Sequence, residues 1–244
     1  MKKRIVTIAL VVALLATCFG GTLAYLTDKD AETNVFTVGT VDIKLLESKL
    51  HRQNDNAEDA VIIADAETYA DYLAKEGTNM VPGRWVKKAP YVYNTGKNPA
   101  YVRVRVVFDR KEVESLYFME YTTALEDKTN GIVKSMAVLN ADGTKTAVAD
   151  YQAAIADKNW TELEYTYTYV APLEPGVVTY YAPFWQIAIK DRLDNKDLAE
   201  LVADANGNIV QNAIEVYADA IQAEGFGSAA EAFAAFDAQM AAKN

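Results

Sequence analysis

The sequence predicts a mainly β protein, an antiparallel sandwich with helical insertions and a C-terminal helix. Three observations lead there. Apolar and polar residues alternate with period two in several runs, as in Val102, Val104 and Val106 against Arg103 and Arg105, the pattern of a strand with one face on a core. Turn-forming clusters punctuate those runs: Pro82-Gly83, Asn94-Thr95-Gly96, Asn140-Ala141-Asp142-Gly143 and Pro175-Gly176. The regular strand–helix alternation of a parallel sheet is missing, so packed antiparallel sheets are the natural way to bury the apolar faces.

The elements follow in order. Val35 to Glu47 alternates as a strand, with Gly39 marking a bulge or a close backbone approach. Ser48 to Asp59 is polar and reads as a loop. Ala66, Tyr69, Ala70 and Leu73 share one helical face before the stop at Gly77. Trp85 to Tyr93 and Ala100 to Phe108 are strands, the second with an apolar valine face and a wet face exposing two arginines. Asp109 to Met119 fits a short helix. Ile132 to Leu139 and Thr144 to Val148 flank a turn and predict a hairpin. Tyr151 to Lys158 is a helical turn.

Glu162 to Val170 alternates Leu163, Tyr165, Tyr167 and Tyr169 with Glu164, Thr166 and Thr168. Val177 to Lys190 is strand-like but contains Pro183, which cannot donate to a ladder, so this strand is edge, bent or broken. Asn195 to Ala203 is a helix capped by Asp194. Ile209 to Ala223 fits two periods: Ile214, Tyr217 and Ile221 suit a helix, while Ile214, Val216, Ala218 and Ala220 suit a strand. Ser228 and Glu231 form a capping box, and Phe233, Phe236 and Met240 line the helix that follows to Ala242.

The N-terminus carries an export signal. Lys2, Lys3 and Arg4 precede an apolar run from Ile5 to Ala16, with small residues around Ala24. The run is short for a membrane span, which needs about 20 residues. Cleavage between Ala24 and Tyr25 is expected. It divides the chain into a leader (1–24), a sandwich domain (25–225) and a C-terminal helical extension (226–244).

The net charge of the whole chain is −10, and losing the leader's three basic residues makes it −13. This excludes nucleic acid as a default partner, since its binding needs a basic surface. It equally disfavours an anionic membrane surface, so membrane contact is expected only through the uncleaved leader. The single cysteine, Cys18, lies in the leader. Leu15-Ala16-Thr17-Cys18 resembles a lipoprotein cleavage box, although such boxes place Gly, Ala or Ser where Thr17 stands. After processing the protein has no thiol, so its stability rests on its core.

Three stretches resemble the TasA and camelysin family of exported Gram-positive proteins matured by a SipW-type signal peptidase. The first is Gly21-Thr22-Leu23-Ala24-Tyr25-Leu26-Thr27-Asp28, followed by Phe36-Thr37-Val38-Gly39-Thr40-Val41-Asp42-Ile43. The second is Val81-Pro82-Gly83 with the Asn94-Thr95-Gly96 stretch leading into Ala100 to Val104. The third is Ala218 to Gly225, which looks like the family's last sandwich strand and decides for a strand there.

The resemblance implies a jelly-roll-like sandwich, secretion to the matrix or cell surface, and self-association into biofilm fibres. It also implies the signal peptidase, and an anchoring or accessory matrix protein, as partners. In the family, the freed N-terminal segment of one subunit completes a sheet of the next. Here the donor would run from Tyr25, Leu26, Thr27 and Asp28 to Asn34, joining by backbone hydrogen bonds.

Camelysin itself is described as a metal-dependent protease, so catalytic groups matter. No His-Glu-x-x-His helix is present, and the one histidine, His51, sits in a polar loop. There is no Gly-x-Ser-x-Gly elbow and no phosphate-binding glycine loop. The acidic pairs Asp28 with Asp30 and Glu162 with Glu164 read as solvent-facing strand positions. Asp204 to Asn208 resembles part of a calcium loop but lacks the downstream acidic ligand, so it reads as a turn.

No catalytic site, metal or cofactor is expected. The fifteen tyrosines concentrate at Tyr165, Tyr167, Tyr169, Tyr180 and Tyr181. The first three form a candidate aromatic contact face for a polymer or sugar, with cross-strand packing as the competing reading. A monomeric glycan-binding or cell-surface module and a secreted protease are the alternatives to a structural subunit.

Overall fold

A computed structural model describes residues 41–48, 62–64, 68, 80–156, 159–201 and 214–242. All belong to one compact unit, residues 41–244. The elements run β1 (Ile43–Ser48), β2 (Trp85–Lys87), β3 (Ala89–Asn94), β4 (Ala100–Asp109), α1 (Arg110–Ser115), β5 (Leu116–Glu120), α2 (Thr122–Glu126), β6 (Ile132–Asn140) and β7 (Lys145–Val148). They continue with α3 (Tyr151–Ala156), β8 (Trp160–Tyr169), β9 (Phe184–Ile189), α4 (Asn195–Leu201), β10 (Glu215–Gln222) and α5 (Ala229–Ala241). The expected mainly β, antiparallel architecture is present; its strand order is compatible with a jelly roll without defining one.

One layer is a five-stranded sheet in the order β10-β4-β8-β6-β7. Facing it are a three-stranded sheet, β2-β9-β5, and a pair, β1-β3. The expected strand 85–93 is divided at Lys88: its first part pairs with β9 and its second with β1. The expected strand 177–190 is broken near Pro183. Only 184–189 joins a ladder, while Val178 makes a single bridge to Tyr93, as a residue without an N–H requires.

The core lies between the layers. Val102, Val104, Val106 and Phe108 of β4 and Leu163 of β8 meet Val86, Val92, Phe184 and Ile187. Phe118 of β5 stands at the middle, 4.5 Å from Phe184 and 5.5 Å from both Phe108 and Tyr165, centroid to centroid. A further cluster under α5 joins Tyr101, Ile221, Ala232 and Phe233. The supposedly wet face of β4 is therefore roofed at Arg103, because α5 packs on it.

Local chemistry explains several boundaries. Pro82-Gly83 forms the turn into β2, with Arg84 N donating to Val81 O over 3.1 Å and Gly83 at φ +77°, the left-handed geometry a glycine takes without strain. The β6–β7 hairpin closes at Asn140–Gly143, and Asn140 N donates to Thr144 O over 2.8 Å. Asp194 caps α4 by accepting from Lys196 N and Asp197 N. Ser228 caps α5 by accepting from Glu231 N. The expected reciprocal bond is displaced by one residue: Glu231 accepts from Gly227 N, not from Ser228 N.

The complete capping box belongs instead to α1. Asp109 Oδ1 accepts from Glu112 N over 2.7 Å, and Glu112 Oε2 accepts from Asp109 N over 2.8 Å. At the other end the buried Lys190 ammonium donates to Val113 O and Glu114 O, each over 2.9 Å, satisfying carbonyls the helix leaves open. Glu112 is buried, and burial raises its pKa from 4.5 to about 7; the Asp109 N–H opposes this, while the charges of Asp109 and Glu215 add to it.

A raised carboxyl pKa favours folding where the folded state holds the extra proton. Its contribution is full below pH 4.5 and is lost as pH rises to about 7. Glu112→Gln keeps an acceptor for the Asp109 N–H and removes the titration. It is expected to stabilise the protein at pH 8 by about 1–2 kcal/mol, discounted for solvent screening. Urea midpoints at pH 5 and pH 8 should differ less in the variant than in the wild type; an unchanged pH profile would contradict this assignment.

Candidate functional site

The residues expected to govern processing and assembly, Ala24, Tyr25, Leu26, Thr27, Asp28 and Asn34, lie outside the described residues. So do Cys18, His51, the acidic pair Asp28 and Asp30, and the turn at 204–208. The described chain begins at Val41, just before β1, and the way β1 is held can be followed atom by atom.

Asn94 is the node. It is fully buried and pairs with Ile43 at the start of β1. Its Nδ2 donates to Asn98 O and Leu173 O over 2.9 and 2.8 Å, and its Oδ1 accepts from Gly96 N over 2.9 Å. Thr95 N and Gly96 N both donate to Asp42 O over 2.9 Å. The Asn-x-Gly stretch that carried part of the family resemblance is thus a buried polar clamp, fully bonded as a buried amide must be. It fastens the first described strand to β3 and to the 173–177 loop.

That strand sits beside β10, the terminal strand of the five-stranded sheet. Among the described residues β10 pairs with β4 alone, across all eight of its positions. The opposite edge, β7, has four residues and begins at Lys145. A short edge carrying a lysine is poorly suited to receive another strand, whereas a long one offers a row of backbone donors and acceptors. β1, itself an edge, lies next to β10.

On its outward face β10 is reinforced by charge. Asp219 Oδ2 accepts from Arg103 Nε and Arg105 Nε over 2.8 and 2.7 Å. Arg103 continues as a fork onto Asp237 of α5, over 2.7 and 3.0 Å, and its guanidinium lies 4.6 Å from the Phe233 ring centroid. Arg105 reaches Glu164, which also binds Lys145. Burial works against ionisation of Asp219, but the bonds from Arg105 and Arg103 outweigh it and hold its pKa below the ordinary value.

The candidate aromatic face is corrected. Tyr165, Tyr167 and Tyr169 are 9, 0 and 4 % exposed and belong to the main core. Tyr169 donates to Tyr181 O and Tyr167 to Glu120, each over 2.6 Å. They point inward because Leu163, which shares their face, is an obligate core residue, while Glu164, Thr166 and Thr168 take the other face. Of the acidic pair, Glu162 is exposed and Glu164 is tied into the arginine network. The aromatic surface that sequence reasoning missed is Trp85 with Tyr117. The two stand 32 positions apart in the chain, so only the pairing of β2 and β5 with β9 brings them together.

The described residues form no group of three or more His, Cys, Asp or Glu side chains able to hold a metal ion. No described helix is long and apolar enough to cross a membrane. A cleft of about 560 Å³ lies at the β6–β7 hairpin and α3. Its functional groups are engaged in the turn: Asn140 donates to Thr144 and Thr146, and Asp142 accepts from Thr144. Nothing there pairs a nucleophile with a base.

The described chain is thus an antiparallel β-sandwich whose first described strand is clamped beside β10, a strand that pairs on one side only among the described residues. Residues 1–59 match the family described as camelysin metallo-endopeptidase, the family whose motifs the N-terminus resembles; β1 is the part of that match the structure describes. No curated protein matches the chain, and no solved structure matches it. The described residues offer no cluster of side chains that would hold the metal the family description implies.

Proposed function

We propose that the protein is a secreted structural subunit of the TasA type. A SipW-type signal peptidase removes residues 1–24, and the protein then self-associates into fibres of an extracellular matrix or cell surface, with an accessory matrix protein as anchor. The freed segment Tyr25 to Asn34 adds as a strand to a neighbouring subunit. The observation that carries this reading is the eight-residue strand β10, which among the described residues pairs on one side only, so that an extended segment can bond to it through its backbone. The family match over residues 1–59 supports the export route.

Protein beginning at Tyr25 is expected to elute as polymers and to show fibres by electron microscopy. Protein lacking residues 25–33 should keep its circular dichroism spectrum and remain monomeric. Fibres formed equally well by the truncated protein would rule out strand donation; monomers from both would point to a surface-binding module. The description of the matching family favours a second reading, a secreted metalloprotease. Casein cleavage that a chelator abolishes and zinc restores, in protein free of contaminating protease, would establish it against the structural role.

A further inference from the structure

Asn130 and Gly131 stand in the loop that leads from α2 into β6, where the fold leaves two reactive groups unbonded side by side. The Asn130 side chain is exposed and its amide makes no hydrogen bond, while its backbone N–H donates to Asp127 Oδ1 over 3.1 Å. The next backbone donor, Gly131 N–H, is unbonded as well, and the Gly131 carbonyl accepts from Val170 N over 3.0 Å. A cleft of about 170 Å³ opens beside Asn130, lined by Val102, Tyr169, Leu173 and Tyr180.

The packing of α2 imposes the glycine. A Cβ at position 131 would lie 1.9 Å from Asp127 O and 2.5 Å from Ala124 O, so no other residue fits there. Among the described asparagines, Asn130 alone precedes a glycine. Asn94 is fully buried with both ends of its amide bonded. Asn140 donates to Thr144 and Thr146 and precedes Ala141. Asn98 precedes Pro99, which has no N–H.

We propose that Asn130 is a site of spontaneous covalent modification, a deamidation in which Gly131 N attacks Asn130 Cγ. The new N–Cγ bond closes a succinimide ring. The Gly131 proton passes to solvent, and the side-chain nitrogen takes up a proton and leaves as ammonia. Water then opens the ring at either carbonyl and gives aspartate or isoaspartate at position 130. Water is the only co-reactant. Nucleophile and electrophile sit on adjacent residues at high effective concentration. Glycine places no side chain in the way of ring closure, and neither group has a hydrogen bond to break first. The isoaspartate branch adds a methylene to the backbone just before Gly131, which has no room to move toward α2. It therefore pulls the Gly131 carbonyl off Val170 N and frays the β6–β8 ladder where Ile132 pairs with Tyr169. The aspartate branch adds a negative charge near Asp127, whose carboxylate holds Thr129 N and the Tyr181 hydroxyl. The reaction does not depend on fibre formation.

The test is peptide mass spectrometry of protein aged at pH 8, folded and in urea. Trypsin cuts after Lys128, Lys134 and Lys145, so residues 129–134 and 135–145 report Asn130 and Asn140 separately. Peptide 129–134 is expected to gain the mass difference between an amide and an acid. It should split into two chromatographic forms, one of them a substrate for an isoaspartyl methyltransferase, while 135–145 stays unchanged. Burial of Gly131 opposes loss of its proton, and the urea sample measures by how much. The folded rate should lie within about tenfold of the unfolded one, a difference of about 1.4 kcal/mol in the barrier. Ageing at pH 5 should slow the reaction, since Gly131 N attacks in its deprotonated form. Asn130→Gln, which would have to close a larger ring, should abolish the gain. In the isoaspartate form the Val170 amide should exchange hydrogen faster than in fresh protein. A folded rate more than about tenfold below the unfolded one, an equal gain in 135–145, an equal gain in Asn130→Gln, or unchanged exchange at Val170 would each overturn the proposal. The wild-type comparison decides even where the variant folds poorly.

Discussion

Tyr167→Ala is expected to destabilise the protein by about 3–5 kcal/mol, the cost of truncating a fully buried aromatic side chain. Tyr167 sits mid-strand in β8, between Val104 of β4 and Lys134 of β6. Its ring lies 6.4 Å from both Tyr165 and Phe118, so both layers lose contacts when it goes. The hydroxyl is a smaller part of the effect. It donates to Glu120, which keeps Lys134 as a partner at 2.7 Å, so Tyr167→Phe should cost only about 1 kcal/mol. Burial first, and then the Glu120 charge, push the hydroxyl well above the ordinary tyrosine value, which keeps it a neutral donor at any working pH. Urea unfolding of the two variants measures the difference. A Tyr167→Ala protein within about 1 kcal/mol of wild type would mean that the ring is not in the core, and would revive it as a contact residue.

The tyrosine row shows what period-two alternation can and cannot say. Alternation grouped Tyr165, Tyr167 and Tyr169 correctly with Leu163, and the polar Glu164, Thr166 and Thr168 opposite them already indicated which face turns inward. Aromatic density suggested a contact surface only because partial burial and binding use the same residue types. Asp109 to Met119 contains two elements where one helix was expected. The Asp109–Glu112 box starts a helix, but Leu116 leaves it for β5 because β9 offers a ladder, and no local period announces a distant partner. The arginine face of β4 reads as wet for the same reason, since nothing near Arg103 signals that a helix more than 120 positions later will cover it. The Trp85–Tyr117 pair was illegible because it depends on the register of three strands. By contrast the hairpin at Asn140–Gly143, the Pro82-Gly83 turn and the break near Pro183 were legible, since each is decided by its own residues' backbone chemistry.

Asp219→Ala is expected to cost about 2–4 kcal/mol and to loosen α5. Breaking a buried charge pair by removing one partner costs about 3–5 kcal/mol, because the other charge stays buried and uncompensated. Here two guanidiniums lose the carboxylate between them, but Asp237 and Glu164 remain as partial partners and Arg105 is about a quarter exposed, which lowers the figure. The effect carries a pH signature. A depressed carboxylate pKa contributes stability above its unfolded value of 3.8, and that contribution disappears as pH falls through the still lower folded value. Wild type and variant should therefore converge only in strong acid, the opposite direction from the Glu112 effect. Arg103 also joins β10, β4 and α5 by stacking on Phe233 and Phe236. Its loss of position should expose the last helix to protease before the sandwich unfolds. Removing Arg105 together with Asp219 should recover part of the stability, since it removes the uncompensated charge as well. If Asp219→Ala costs less than about 1 kcal/mol and leaves the helix protected, the ladder is only a solvated surface pairing, and α5 is held by its phenylalanines alone.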